Sequence, residues 1–376
     1  MAETLQLHDN NRIARLDGVR ALAVVLVFLI HDDIGRFGWM GVPLFFVLSG
    51  FLITGILRRS QADQHFWAPF YLKRATRILP PLVIAFLAAA LFSKVAWGQV
   101  GLYELFFSAN VAEVLQRNRT GTLSVLWSLA VEEQFYLFWP FAIRFLERKR
   151  LIQILVGVLV AEPILRAAFS PMFATIWPIF FLTPFQLDGL ALGSLLALLV
   201  EDKAATERVT HWSGWAFGSV GVAFALMSTM SVFHRDSNST LFNSVGYTMV
   251  YLLGGCLVAY LLLHPGSLAS RLFGSRSLVF LGSISYGFYL FHLVGINLTE
   301  AWGRAHNFAH FRTLAPATFL AVTVFSWLSF RYYEQPIIAW GKRQALRIQA
   351  PKMANANSPL IPEPIGSLPG DGETFG

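Results

Sequence analysis

The sequence predicts an all-α polytopic membrane protein, a bundle of about ten transmembrane helices with both termini cytoplasmic. Three observations predict it. Hydrophobic residues make up 55% of the chain and charged residues only 14%, with a mean hydropathy of +0.54. A soluble chain carries about a quarter charged residues and must clothe its surface in polar groups, so this composition needs lipid as its solvent. The apolar residues form runs long enough to cross a bilayer, and the basic residues gather in alternate connections between those runs.

Crossing about 30 Å of hydrocarbon takes roughly 20 helical residues. Runs of that kind fall at 17–34, 39–57, 78–97, 122–145, 151–170, 176–200, 212–233, 242–263, 278–299 and 313–333. Helices are required, because an isolated strand would leave its backbone groups unpaired in lipid. The first run follows Arg12, Arg15 and Arg20 like a signal-peptide core. No small-residue cleavage site succeeds it, only His31-Asp32-Asp33, so it is read as a retained span. The run at 151–170 is interrupted by Glu162, Pro163 and Arg166.

With the N-terminus inside, the cytoplasmic segments hold 21 of the 29 Lys and Arg residues, the positive-inside pattern. The net charge of +7 is therefore spread between spans and forms no nucleic-acid patch. The single cysteine, Cys256, excludes an intrachain disulfide. The expected organisation is a cytoplasmic arm at 1–16, a membrane domain at 17–345 and a disordered cytoplasmic tail at 346–376. The Pro- and Gly-rich composition beyond Ala350 supports that tail. The longest loops, 58–77 and 98–121, are too short to fold alone, so any chemistry belongs to the helices and their connections.

Ionisable groups within spans are costly and hence candidate functional groups. Arg20 and His31 lie eleven residues apart in the first span, roughly 16 Å along its axis. The bland alternative is a snorkelling arginine and an interfacial histidine. Small residues in the second span, Ser49 and Gly50, read as packing. Arg74 and Arg77 share one helix face and can clamp a phosphate, or they are ordinary positive-inside charge. Glu132 and Glu133 point in different directions from the fourth span, so one can face a cavity. Glu132 stands at about the depth of His31, where base and carboxylate can meet; otherwise it is a structural link, for instance to Arg166. The chain has no G-x-S-x-G, H-E-x-x-H, C-x-x-C or P-loop pattern, and no H-x4-D. Metal and nucleotide chemistry therefore have no support.

Several ordered motifs resemble the acyltransferase-3 family of membrane O-acyltransferases. They are Arg20 and His31 after Leu16-Asp17-Gly18, the run Gly41–Ile53, and Arg74/Arg77 before Ile78 and Pro80. Trp127–Tyr136, Gln186–Gly189, Ser285–His292 and Tyr333–Pro336 belong to the same pattern, which covers about residues 12–345. Pro43 departs from it, since family members often carry Asp there. The soluble esterase-like domain that some polysaccharide O-acetylases carry is also not seen. The resemblance implies an acyltransferase domain at 17–345 in a bacterial inner membrane. Its donor would be acyl-CoA, in the first instance acetyl-CoA, and its acceptor a hydroxyl of a carbohydrate or glycoconjugate. No metal and no nucleic acid are implied. On this reading His31 is the general base, Glu132 its orienter or proton partner, and Arg20, Arg74 and Arg77 bind the CoA phosphates. The competing readings are a flippase for lipid-linked saccharides, an acyltransferase for an antibiotic-like small molecule, and an acyltransferase of another family acting on lipid or protein.

Overall fold

A computed structural model of the protein describes residues 2–92, 97–115, 121–229, 238–308 and 311–349. The described residues form helices and no strands. The first, α1 (Ala2–His31), joins the expected arm and the first span into one helix. It ends where Asp33 enters the left-handed region with φ 57°, a conformation that short polar side chains tolerate. A single 3₁₀ turn at Gly38–Met40 then leads into α2 (Gly41–Arg59).

The third helix, α3 (Trp67–Phe92), starts eleven residues before the expected span. The predicted loop 58–77 shrinks accordingly, and Arg74 and Arg77 sit on the helix itself. Basic residues depress an apolar-run reading but do not oppose helix formation, so the pattern located the lipid-facing stretch and missed the helical start. Two short helices follow, α4 (Trp97–Leu105) and α5 (Ala109–Val114), then α6 (Leu126–Phe145) and α7 (Arg148–Phe169).

The expected span 176–200 is not one helix. It divides into α8 (Trp177–Phe181), a 3₁₀ turn at Thr183–Phe185 and α9 (Leu187–Leu199). Pro178 and Pro184, each early in its own short helix, account for the break, because proline starts helices more readily than it continues them. Next comes α10 (Lys203–Met227), capped by Asp202, whose Oδ1 accepts from the Ala205 N–H at 2.7 Å. A π turn at Phe242–Gly246 precedes α11 (Tyr247–Leu263), and α12 (Leu268–Phe273) follows it. The helices α13 (Arg276–Ser283) and α14 (Ser285–Ala305) meet at a 73° bend. Finally α15 (Ala315–Ser329) passes through a π turn at Phe330–Glu334 into α16 (Gln335–Gln349). Residues 350–376, most of the predicted tail, lie outside the described residues.

Among the described residues, five helical segments are long and apolar enough to cross a membrane: 38–59, 67–92, 148–172, 242–263 and 312–349. Counting the bent pair α13–α14 as one span makes six.

Close approach of backbones builds the centre. A Cβ on Gly50 of α2 would overlap the Leu190 carbonyl of α9, and one on Gly193 would overlap the Val47 carbonyl in return. Gly18 on α1 and Gly282 on α13 make similar contacts with the Phe273 and Asp17 carbonyls. Small residues permit this contact, and dispersion between the helices is then the main attraction available in lipid. A buried ionic knot ties α7 to α9: Arg166 meets Asp188 at 2.7 Å and Glu162 at 3.3 Å, and also donates to the Phe185 carbonyl and Thr248. With Arg166 committed there, the structural alternative that paired it with Glu132 is excluded.

Candidate active site

Six helices, α9 among them through Ala197, line a cavity of about 740 Å³. Leu16 and Arg20 line it from α1, Phe45 and Ser49 from α2, and Arg74 and Arg77 from α3. From α6 come Ser128, Glu132 and Tyr136, and from α14 Ser285, Tyr286 and Tyr289. At one end it also reaches Arg58, Arg59 and Glu201.

The sequence-predicted residues divide into two groups. Arg20, Arg74, Arg77 and Glu132 all line the cavity. Of the adjacent carboxylates it is Glu132 that faces it, while Glu133 is absent from its walls. Both Glu132 oxygens are engaged: Ser49 donates to Oε1 at 2.5 Å and Tyr136 to Oε2 at 3.2 Å. The Arg74 guanidinium stacks 4.0 Å above the Tyr136 ring. Arg74, Tyr136 and Glu132 thus form a layered charge site in which the aromatic face and the carboxylate both favour the cation.

The three arginines differ in what they are free to do. Arg20 is paired with Asp17 at 2.5 Å, one turn away on its own helix. Nε of Arg74 is buried without a hydrogen-bond partner among the described residues. Arg77 has no hydrogen bond or ion pair among them. It lies within electrostatic reach of Arg20, Arg74 and Asp17. Arg20 and Arg74 oppose its charge, and the Asp17 and Glu334 carboxylates favour it. Orphaned guanidinium donors around a cavity are the features an oxyanion or phosphate would satisfy.

His31 stands elsewhere. It is exposed at the end of α1 and does not line the cavity. The expected meeting with Glu132 is therefore not what the fold brings together. Instead Nδ1 of His31 lies 2.8 Å from the Val27 carbonyl and 3.2 Å from Nε2 of His292 on α14. Nδ1 of His292 is 2.6 Å from the Tyr289 carbonyl. One turn away, the Tyr289 hydroxyl donates to the Val125 carbonyl at 3.0 Å and lies 2.6 Å from Ser128 Oγ, both side chains bordering the cavity. Tyr289 thus connects the cavity wall with the histidine pair.

Sequence reasoning overlooked Ser49, Tyr136, Tyr289 and Glu334 as parts of this site. All four stood in quoted motifs, but nothing in one chain told a packing serine or tyrosine from one facing a void. Glu334, within the π turn, is buried, accepts from Ser329 at 2.8 Å and lies within electrostatic reach of Arg77. A π turn inserts one residue and re-aims the side chains after it, which periodicity on an ideal helix cannot anticipate. Among the described residues no group of three or more His, Cys, Asp or Glu side chains is arranged to hold a metal ion.

A family model described as an acyltransferase domain matches residues 13–331. The chain is 26% identical over 356 residues to the peptidoglycan O-acetyltransferase OatA of Listeria monocytogenes, an alignment covering 88% of this chain and 56% of that protein. To the O-acetyltransferase OatA of Staphylococcus aureus it is 25% identical over 360 residues, covering 88% and 58%. The chain thus spans little more than half the length of these curated relatives. No solved structure matches it.

Proposed function

We infer, from the premise that this chain belongs to the acyltransferase-3 family and is an acyltransferase, that it moves an acetyl group from acetyl-CoA to a hydroxyl of a cell-surface carbohydrate. The observation that carries this reading is the arrangement of the cavity. Arg20, Arg74 and Arg77 line the same cavity as Ser128 and Tyr289, and the Tyr289 carbonyl leads on to the histidine pair. A phosphorylated donor entering among Arg20, Arg74 and Arg77 would extend its thioester arm along α1. Arg20 and His31 are eleven residues apart on that helix, roughly 16 Å.

In this reading the arginines bind phosphate by charge-assisted hydrogen bonds, and Glu132 with Tyr136 holds Arg74 in place between ligands. His31 is the general base. Its exposure at the far end of α1 gives an acceptor access from the side opposite the donor. The basic-residue bias makes the donor side cytoplasmic, with both termini inside and about ten crossings of a bacterial plasma membrane. Such an arrangement lets a cytoplasmic thioester serve an acceptor that never enters the cytoplasm.

Two measurements test it. Purified protein given labelled acetyl-CoA and a glycan acceptor should move the label onto the glycan in an ester that mild base removes. Mass spectrometry of surface glycans from a deletion strain should show loss of one O-acetyl group with the polymer intact. Loss of the whole polymer would instead support a flippase, and an unchanged glycan would refute the carbohydrate acceptor.

A further inference from the structure

Five arginines line the cavity, and the reading above gives a ligand to three of them. The other two, Arg58 and Arg59, are the last residues of α2 and stand with Glu201 at one end of the cavity. Arg58 is committed. Its Nε donates to Oε1 of Glu201 at 3.1 Å and its Nη2 to Oε2 at 3.0 Å, and it also donates to Gln61. The same carboxylate lies 4.0 Å from Arg148, which donates to the Leu198 carbonyl at 2.9 Å. Glu201 is thus shared by Arg58 and Arg148, and Arg59 has no hydrogen bond or ion pair among the described residues. Although Arg59 is exposed, it does not reach straight out into water. Its Nη1 is 3.5 Å from where a Cβ on Gly55 would stand, so the side chain runs back along α2 beside a glycine that also lines the cavity. Long side chains on a helix lean towards the preceding turn in this way.

The depth of the inner arginines is fixed by their contacts. Ser49, six residues before Gly55 on α2, donates to Glu132, whose other oxygen accepts from Tyr136, the ring beneath Arg74. The Arg59 guanidinium and the Arg74 site are therefore roughly 9 Å apart along α2. Two cationic groups at that separation call for a ligand with two separate phosphate groups. CoA has that pattern, a pyrophosphate on one carbon of its ribose and a monophosphate on another. The ribose is the spacer, and an N–H···O contact of about 2.9 Å at each end takes up the remaining length. We propose that Arg59 is a specificity residue for the donor, binding the ribose monophosphate of CoA while Arg74 and Arg77 hold the pyrophosphate. This rests on the reading of acetyl-CoA as donor. A guanidinium fork matches phosphate oxygens, and a doubly charged, strongly hydrated group loses less solvation at an exposed end than among the buried arginines. With both phosphate groups held, the nucleotide stays at the end marked by Arg59 and the thioester arm is directed inward, past Glu132. Glu201 keeps Arg58 out of this contact and fixes the end of α2 against the end of α9.

The test is calorimetric titration of the purified protein with CoA and with dephospho-CoA, which lacks only the ribose monophosphate. Wild type is compared with Arg59→Ala, Arg74→Ala and Lys73→Ala. Lys73 is an exposed cation on α3 that does not line the cavity, so its removal measures the general effect of losing a positive charge. Wild type should bind CoA about tenfold more tightly than dephospho-CoA, the low end for a hydrogen bond between charged groups because Arg59 is exposed and screened. Arg59→Ala should abolish this preference by weakening CoA alone, with dephospho-CoA held to within about twofold of wild type. Arg74→Ala should weaken both ligands and keep the preference, and Lys73→Ala should behave as wild type. A wild type that binds the two ligands alike would overturn the proposal and leave acetyl-CoA standing as donor. So would an Arg59→Ala variant that keeps the preference, or an Arg74→Ala or Lys73→Ala variant that loses it. Failure of wild type to bind either ligand would defeat the donor reading itself, and the proposal with it.

Discussion

At the scale of single residues, the two halves of the proposed site make separable predictions. Arg74→Ala or Arg77→Ala should weaken binding of CoA but not of pantetheine, which lacks the nucleotide phosphates. A charge-assisted phosphate contact is worth about 1.5–3 kcal/mol, roughly 10- to 100-fold in affinity. Calorimetric titration of each variant with both ligands reads the difference. Equal effects on the two would mean that these arginines do not recognise phosphate. His31→Ala should lower turnover by about 10²–10⁴-fold, the contribution of a positioned base, with CoA binding retained. Initial rates at saturating acetyl-CoA check it. These side chains were legible in the sequence because an arginine or histidine within an apolar run is conspicuous. Ser49 and Tyr136 were not, because their role depends on which carboxylate stands opposite, and Glu132 is 83 residues from Ser49 along the chain.

At the scale of elements, helix positions followed from the apolar runs but helix ends did not. The start of α3 was hidden by Lys73, Arg74 and Arg77, of which the two arginines line the cavity. The division of 176–200 followed from prolines that were visible but had no consequence until their neighbours were placed. The pair α2–α9 depends on contact between backbones, and this makes it sensitive to one methyl group. Gly50→Ala would drive its Cβ into the Leu190 carbonyl, so either the helices separate or the backbone shifts. Overpacking of this kind costs about 1–3 kcal/mol. The thermal midpoint in detergent should fall accordingly. Gly157→Ala, where the new Cβ meets nothing within 4 Å, should leave the midpoint unchanged or raise it slightly. If both substitutions behave alike, close α2–α9 packing does not hold the bundle.

At the scale of the whole molecule, the 21-to-8 division of basic residues makes the topology testable. Reporters inserted at 98–121 or 234–241 should be accessible from outside the cell. Reporters at 58–77 or on the tail should be accessible only from inside. Labelling of 58–77 from outside would reverse the donor side and with it the route proposed for acetyl-CoA. The same test bears on the crossing number, since α9 has 13 residues, fewer than a straight crossing needs.

By itself the sequence determined that the chain is membrane-embedded and helical, where its charged residues interrupt the apolar runs, and which family pattern they follow. Those properties are local: solvent preference is additive along the chain, and a charge in an apolar run is visible without its partner. Only the tertiary structure decided which charges meet. It gave Arg166 to Asp188 and Glu162, Glu132 to Ser49 and Tyr136, and His31 to His292, which lies 261 residues further along the chain. Periodicity assigns each side chain a face on its own helix, whereas a partner depends on how two helices are rotated and shifted against each other. In this bundle those positions come from glycine contacts, a 73° bend and two π turns, none of which has a period to read.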